Sequence, residues 1–236
     1  MDLPGDPAQR SDRLGPLKSR LAWAGLLAVL TAAVYGGALD TSFHFDDENA
    51  VLSHRQVLTG EWDFSLRGVF LGRGLVTNSF IACQRFSEAG SPVLFHAVDL
   101  ALHAGVTIAL FWVLLRWFAL SGRVLNDGWA AAGALAYWIH PAVSQGVVYI
   151  GQRYERFCTL FFLVSLLCFA AGFGAWRDPA VRRRVLKAAT AFAGCVLFAA
   201  LALGSKENAV TLPVILLLSA TVWMRREGVP LWLACA

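Results

Sequence analysis

The run "VLFHAVDLALHAGVTIALFWVLLRWF", Val93 to Phe118, decides the fold. Its only charged residues are Asp99 and, near the far end, Arg116. At about 1.5 Å per residue, about twenty apolar residues in a helix cross the roughly 30 Å hydrocarbon core of a bilayer. This run is long enough. Comparable runs occur at 21–39, 157–176, 185–203 and 209–224. Another starts at Trp129 and is interrupted by His140 and Pro141, and "VPLWLACA" at 229–236 reads as the opening of a seventh, cut short. The chain is therefore expected to be all-α, a polytopic transmembrane helical bundle of about six complete spans plus the start of a seventh.

Composition agrees. Of 236 residues, 57% are hydrophobic and only 15% charged, where a soluble domain carries about a quarter charged. This excludes an ordinary soluble globular protein. The basic balance, net +4, does not point to nucleic acid, because membrane proteins gather Lys and Arg in their cytoplasmic loops. Five cysteines without C-x-x-C or metal-like spacing read as small buried hydrophobes. A cleavable signal peptide is the competing reading of 21–39, but the run is long for a signal core.

The organisation follows: a polar tail at 1–20, poorly ordered, a transmembrane module at 21–224 with a long loop at 40–92, and the start of a further span at 225–236. The loop is polar, with short amphipathic pieces such as "EWDFSLRGVFLGRG". With a cytoplasmic N-terminus, thirteen of the twenty Lys and Arg residues fall on the inner side and seven on the outer side. The positive-inside rule then places the loop on the outer face. That orientation brings "FDDEN", "HP", "QRYER" and "SKEN", from four separate places in the chain, to one lip.

Each of these stretches has a chemical and a plain reading. Asp46, Asp47 and Glu48 are three adjacent acids beside a membrane. Like charges raise a pKa unless cations stand near. A carboxylate here can act as a general base or be a solvated turn. The spacing lacks the alternation of a calcium loop. In "HPAVSQGVVYIGQRYERF", continuous helix would align Gln145, Tyr149, Gln152 and Arg156 in one polar stripe. Arginines at a lipid–water boundary suit phosphate, though Arg and Tyr also serve as interface anchors. Ser205 is placed to cap the helix after Lys206 and Glu207. On the second span, His96, Asp99 and His103 share one face, with Asp99 roughly 9 Å along the helix. Interhelical hydrogen bonding, participation in a site and metal ligation are its three readings.

In this order the motifs resemble the GT-C membrane glycosyltransferases, in particular the O-mannosyltransferase-like branch of transmembrane tetratricopeptide-repeat mannosyltransferases and their bacterial relatives. The matching stretches are "FDDENAV" (45–51), "GRGLVTNSF" (72–80), "FHAVDLALH" (95–103), "HPAVSQGVVYIGQRYE" (140–155) and "SKENAVTLP" (205–213). The chain departs from that pattern with Gly74 in place of Pro and Asp99 in place of Asn. The resemblance implies an inverting glycosyltransferase that moves a mannose-like hexose from a polyprenyl-phosphate donor to a protein Ser/Thr or other hydroxyl acceptor. The transfer is on the outer membrane face, with a bacterial inner membrane as the setting. Asp46 or Asp47 is then the base. Arg153, Arg156, Lys206 and Arg73 hold the donor phosphate. Glu48, His96, Asp99, His103, His140, Glu155 and Glu207 support them. No certain cofactor is implied, and a divalent metal stays open but is not indicated. The implied partners are the bilayer, the lipid-linked sugar and a protein or glycan acceptor, with no nucleic acid. The alternatives are a transporter or flippase that relays ions through Asp99 and the two histidines, and a non-catalytic fragment completed by a partner chain.

Overall fold

A computed structural model describes residues 7–225 apart from 45, 89, 123 and 124. The start of the expected seventh span and Cys235 lie outside the described residues. Among those described the chain is helical, with no strand. Ten α-helices run in order: α1 (Pro7–Tyr35), α2 (Arg55–Thr59), α3 (Leu66–Leu71), α4 (Gly74–Phe86), α5 (Val93–Leu120), α6 (Asp127–Trp138), α7 (Pro141–Val148), α8 (Arg153–Arg177), α9 (Arg184–Ser205) and α10 (Leu212–Arg225). Five stretches are long and apolar enough to cross a membrane: Leu17–Ala38, Val93–Leu120, Ile150–Arg177, Arg184–Ser205 and Glu207–Met224. The protein is a multi-pass membrane protein by this measure.

The expected third span takes a different form. Helix α6 has twelve residues, about 18 Å of rise, which is short of the hydrocarbon core. His140 and Pro141 end it and start another helix. A residue before proline is pushed to extended backbone, and His140 has φ −64° and ψ 128°. Pro141 takes the first helical position of α7, where its missing N–H costs nothing, and His140 Nδ1 accepts from the Ala142 N–H at 3.2 Å. The histidine of the "HP" pair is thus an N-cap. The tail differs too: α1 begins at Pro7, so the basic stretch continues into the first span as helix.

Apolar clusters join the helices. Leu27 of α1 and Phe111 and Leu115 of α5 pack on Ala130, Ala131 and Ala134 of α6. The small alanines let the backbones approach, the usual device between membrane helices. Val106 and Ala109 of α5 meet Leu163 and Leu166 of α8 and Leu212 of α10. Polar bonds add to this packing. Trp138 Nε1 donates to Thr31 Oγ1 at 3.0 Å, and Tyr35 Oη donates to the Trp138 carbonyl at 3.1 Å. Ser165 Oγ donates to the Cys195 carbonyl at 2.9 Å.

The long loop is a folded cap with its own core. Val51, Val57, Val76, Phe80 and Ile81 from the loop pack with Phe95 of α5 and with Ile150. Asn78 braces it twice: its Oδ1 accepts from the Asp63 N–H at 3.0 Å and its Nδ2 donates to the Asp63 carbonyl at 2.8 Å. Helix α3 lies against the end of α9, and this close approach requires Gly204. A Cβ at that position would stand 2.8 Å from Phe70 Cα, a backbone atom that cannot swing away. Gly204→Val is therefore expected to lift α3 from α9. The overpacking should lower stability by about 1–3 kcal/mol and speed limited proteolysis within 60–72, which a melting curve and a digestion time course would read.

Candidate functional site

Four distant stretches meet at one end of the bundle. Asp47 Oδ1 accepts from the Gly151 N–H at 2.6 Å. Arg73 Nη2 reaches Glu207 Oε2 at 2.7 Å, and Lys206 Nζ reaches Glu155 Oε1 at 2.7 Å. Beneath them, Arg153 grips Asp99 of α5. Acids, arginines and "SKEN" therefore share one lip.

Asp99 is the deepest charge there, with no exposure. Arg153 meets it in a fork, with Nε 2.7 Å from Oδ1 and Nη2 3.3 Å from Oδ2. The rest of the guanidinium is also occupied. Nη2 donates to the Phe95 carbonyl at 2.8 Å, Nη1 to Ser79 Oγ at 3.2 Å, and the Phe80 ring lies 4.5 Å below. Arg153 is fully buried and presents no free N–H to a ligand. It joins α8, α5 and the cap. Arg156 also reaches Asp99, Nη1 to Oδ1 at 2.8 Å, while its Nη2 donates to the Tyr149 carbonyl at 3.3 Å. One carboxylate thus serves two guanidinium groups.

The two adjacent aspartates differ sharply. Asp47 is buried, and both its oxygens are taken by backbone: Oδ2 accepts from the His44 N–H at 3.0 Å and Oδ1 from Gly151. It ties the start of the cap to the turn Ile150–Gln152. Asp46 is exposed, has no side-chain hydrogen bond among the described residues, and lines a cleft of about 400 Å³. Arg73, Lys206, Gln152, Tyr154 and His54 line the same cleft. Arg73 adopts left-handed backbone, φ 59°, a conformation that costs a non-glycine residue energy and is concentrated at functional sites. Its guanidinium lies 5.5 Å from the Tyr154 ring centre. Gly74, where the resembling family has proline, sits so close to Gly68 that a Cβ would meet its carbonyl carbon at 2.9 Å.

The remaining expected site residues take separate places. Glu48 is exposed. His96 Nε2 is 2.9 Å from the Thr41 carbonyl and holds the first residues of the cap. His103 contacts Tyr35 edge-on, ring centres 5.3 Å apart. Glu155 also accepts from Asn208 Nδ2 at 3.2 Å. His96, Asp99 and His103 therefore face three different partners, and no three His, Cys, Asp or Glu side chains converge on a metal-sized site among the described residues. The expected continuous stripe from Gln145 to Arg156 is broken, because Tyr149 is extended, φ −95° and ψ 116°. Gln145, Gln152 and Arg156 nonetheless line one cavity across the break. Ser205 closes α9 by donating to the Leu201 carbonyl, so it is not an N-cap. Gly151 carries no chemistry of its own and was absent from the expected set. A Cβ there would lie 3.4 Å from atoms of Asp46 and Asp47, at the near edge of ordinary van der Waals contact.

Comparison with known proteins gives the same direction as the motifs. Human protein O-mannosyl-transferase TMTC4 is 28% identical over 172 residues, 64% of this chain and 23% of that protein. Human TMTC1 is 28% identical over 62% of this chain and 18% of its own length. Mouse TMTC2 is 30% identical over 60% of this chain and 18% of its own. The chain is thus distantly related to protein O-mannosyl-transferases, and it spans about a fifth of the length of these curated relatives. No protein-family model matches it, and no solved structure does.

Removing one partner of a buried ion pair strands the other charge, at a cost of about 3–5 kcal/mol. Asp99→Ala strands two, so the protein should lose most of its folded yield. Asp99→Asn should fall less, since an amide oxygen still accepts from Arg153. Thermal unfolding in detergent would rank the two.

Proposed function

We propose that the Asp46 cleft is the transfer site of a glycosyltransferase. Its donor is a hexose, such as mannose, on a polyprenyl phosphate, and its acceptor is a protein Ser/Thr or similar hydroxyl. The observation that carries this is the pairing of one unengaged carboxylate with two cations across a single cleft. The relationship to protein O-mannosyl-transferases supports the class. The Lys and Arg distribution supports a cytoplasmic N-terminus with the cleft on the opposite, extracytoplasmic face.

The chemistry divides among the residues. Asp46 takes the proton of the acceptor hydroxyl as its oxygen attacks the anomeric carbon. The bond from that carbon to the phosphate oxygen breaks on the opposite side, and its electron pair leaves with the phosphate. Inversion follows from this in-line displacement. Arg73 and Lys206 stabilise the charge growing on the leaving phosphate, the kind of fixed electrostatic help that counts most in transfer reactions. Both now pair with carboxylates, but the Arg73 and Glu207 side chains are 48% and 71% exposed. Ion pairs so exposed are worth about 0–1 kcal/mol, so a phosphate can displace the carboxylate. Asp47, with both oxygens occupied, positions the loop that carries Asp46.

The test is transfer of labelled mannose from a polyprenyl phosphate to a hydroxyl-bearing peptide by the full chain in liposomes. Asp46→Asn should slow transfer by about 10²–10⁴-fold, the usual worth of a general base, with an unchanged melting curve. Asp47→Asn should instead lower the melting temperature. Full transfer by Asp46→Asn would remove the base assignment, and an inert wild-type chain would count against the reading itself.

A further inference from the structure

Behind the Asp46 cleft lies a second cavity, of about 290 Å³, bounded by α5, α6, α7 and α8. Gln152 lines both, and the Glu155–Lys206 pair separates them, Glu155 on this side and Lys206 on the other. Two buried side chains on its wall carry polar atoms without a hydrogen bond. His103, 1% exposed, has no hydrogen bond at Nε2. Arg156, 6% exposed, has none at Nε. Its Nη1, though 2.8 Å from Asp99 Oδ1, meets that oxygen outside hydrogen-bond geometry. Buried polar groups are nearly always satisfied, and an unsatisfied charged donor costs more than a neutral one.

Charge points the same way. Arg153 and Arg156 share the single carboxylate of Asp99, which leaves one positive charge uncompensated. Glu155 does not cancel it, because Lys206 and Asn208 already hold that carboxylate. A buried net charge is costly without a counter-ion. Space for one exists beside Arg156 because residue 146 is glycine. A Cβ at Gly146 would stand 3.5 Å from Arg156 Nε and 3.6 Å from Nη2, on ground an acceptor would occupy. Tyr137 and Gln145 line the same wall and supply further hydrogen-bonding groups.

We propose that this cavity is a second ligand site, distinct from the Asp46 cleft, that binds a phosphate-class oxyanion between Arg156 Nε and His103 Nε2. The group is either a free phosphate or the phosphate of a lipid headgroup. The site stands on its own geometry and is tested by binding, so its failure and the failure of the transferase reading are separable.

The test uses the full chain in detergent, titrated with inorganic phosphate and followed by thermal shift and calorimetry. A parallel set uses phosphatidylcholine nanodiscs with and without phosphatidic acid, followed by native mass spectrometry. Arg156→Gln should weaken binding about tenfold or more, the worth of a charge-assisted hydrogen bond. Gly146→Leu should abolish it by filling the space beside Arg156, and it removes none of the charges of the Asp99 cluster. Because leucine favours helix over glycine, α7 is not weakened, and this variant decides alone if Arg156→Gln unfolds. Phosphate binding lost in Gly146→Leu supports the site with a free anion. Retention of phosphatidic acid alone, lost in the same variant, supports it with a lipid source. Binding of neither, or binding unchanged in Gly146→Leu, overturns the proposal.

Discussion

One buried carboxylate organises the end of this bundle. Asp99, six residues into α5, accepts from Arg153 at 2.7 Å and contacts Arg156 at 2.8 Å. A charge inside a span is tolerated when it faces the protein interior and is paired. Here the pairing sets the register of α8 against α5. It also recruits the cap, since Arg153 holds Ser79 of α4 and stacks on Phe80. Such an arrangement is weak evidence for stability in itself, because desolvation offsets the attraction. Its consequence is that α5, α8 and the cap must arrive together.

The Asp46 cleft inherits that geometry. Arg153 begins α8 directly after the turn Ile150–Gln152, whose Gly151 N–H holds Asp47. Fixing Arg153 therefore fixes Gly151, then Asp47, and then its neighbour Asp46. On the other side, α9 ends where α3 packs on Gly204, and the next residues deliver Lys206 and Glu207 to Glu155 and Arg73. Backbone ties hold the groups that position, while an exposed ion pair holds Arg73 and a half-buried one holds Lys206. That division suits the proposed transfer, in which the cleft admits a lipid phosphate and releases it.

Much of the architecture was legible from the chain. Apolar runs of spanning length at 21–39, 93–118, 157–176, 185–203 and 209–224 each fall on a helix long enough to cross. The gathering of "FDDEN", "QRYER" and "SKEN" followed from a count of Lys and Arg. What stayed hidden depends on contacts between distant residues. Asp46 and Asp47 are chemically identical neighbours, and the N–H groups of His44 and of Gly151, the latter over a hundred residues away, take one out of use. Arg153 and Arg156 sit three positions apart, yet one is sealed by Phe80, Phe95 and Asp99 while the other opens on a cavity. Proline at 141 signalled a break, but the short reach of α6 and the capping role of His140 emerge only from the packed helices.

The central claim is that Asp99, through Arg153, holds the turn that positions the paired aspartates. Amide hydrogen exchange on the wild type and on Asp99→Asn, in the same detergent, tests it most directly. Exchange at the Gly151 and His44 amides is expected to be faster in the variant, with the middle of α9 unchanged. Equal exchange at Gly151 in the two proteins would contradict it.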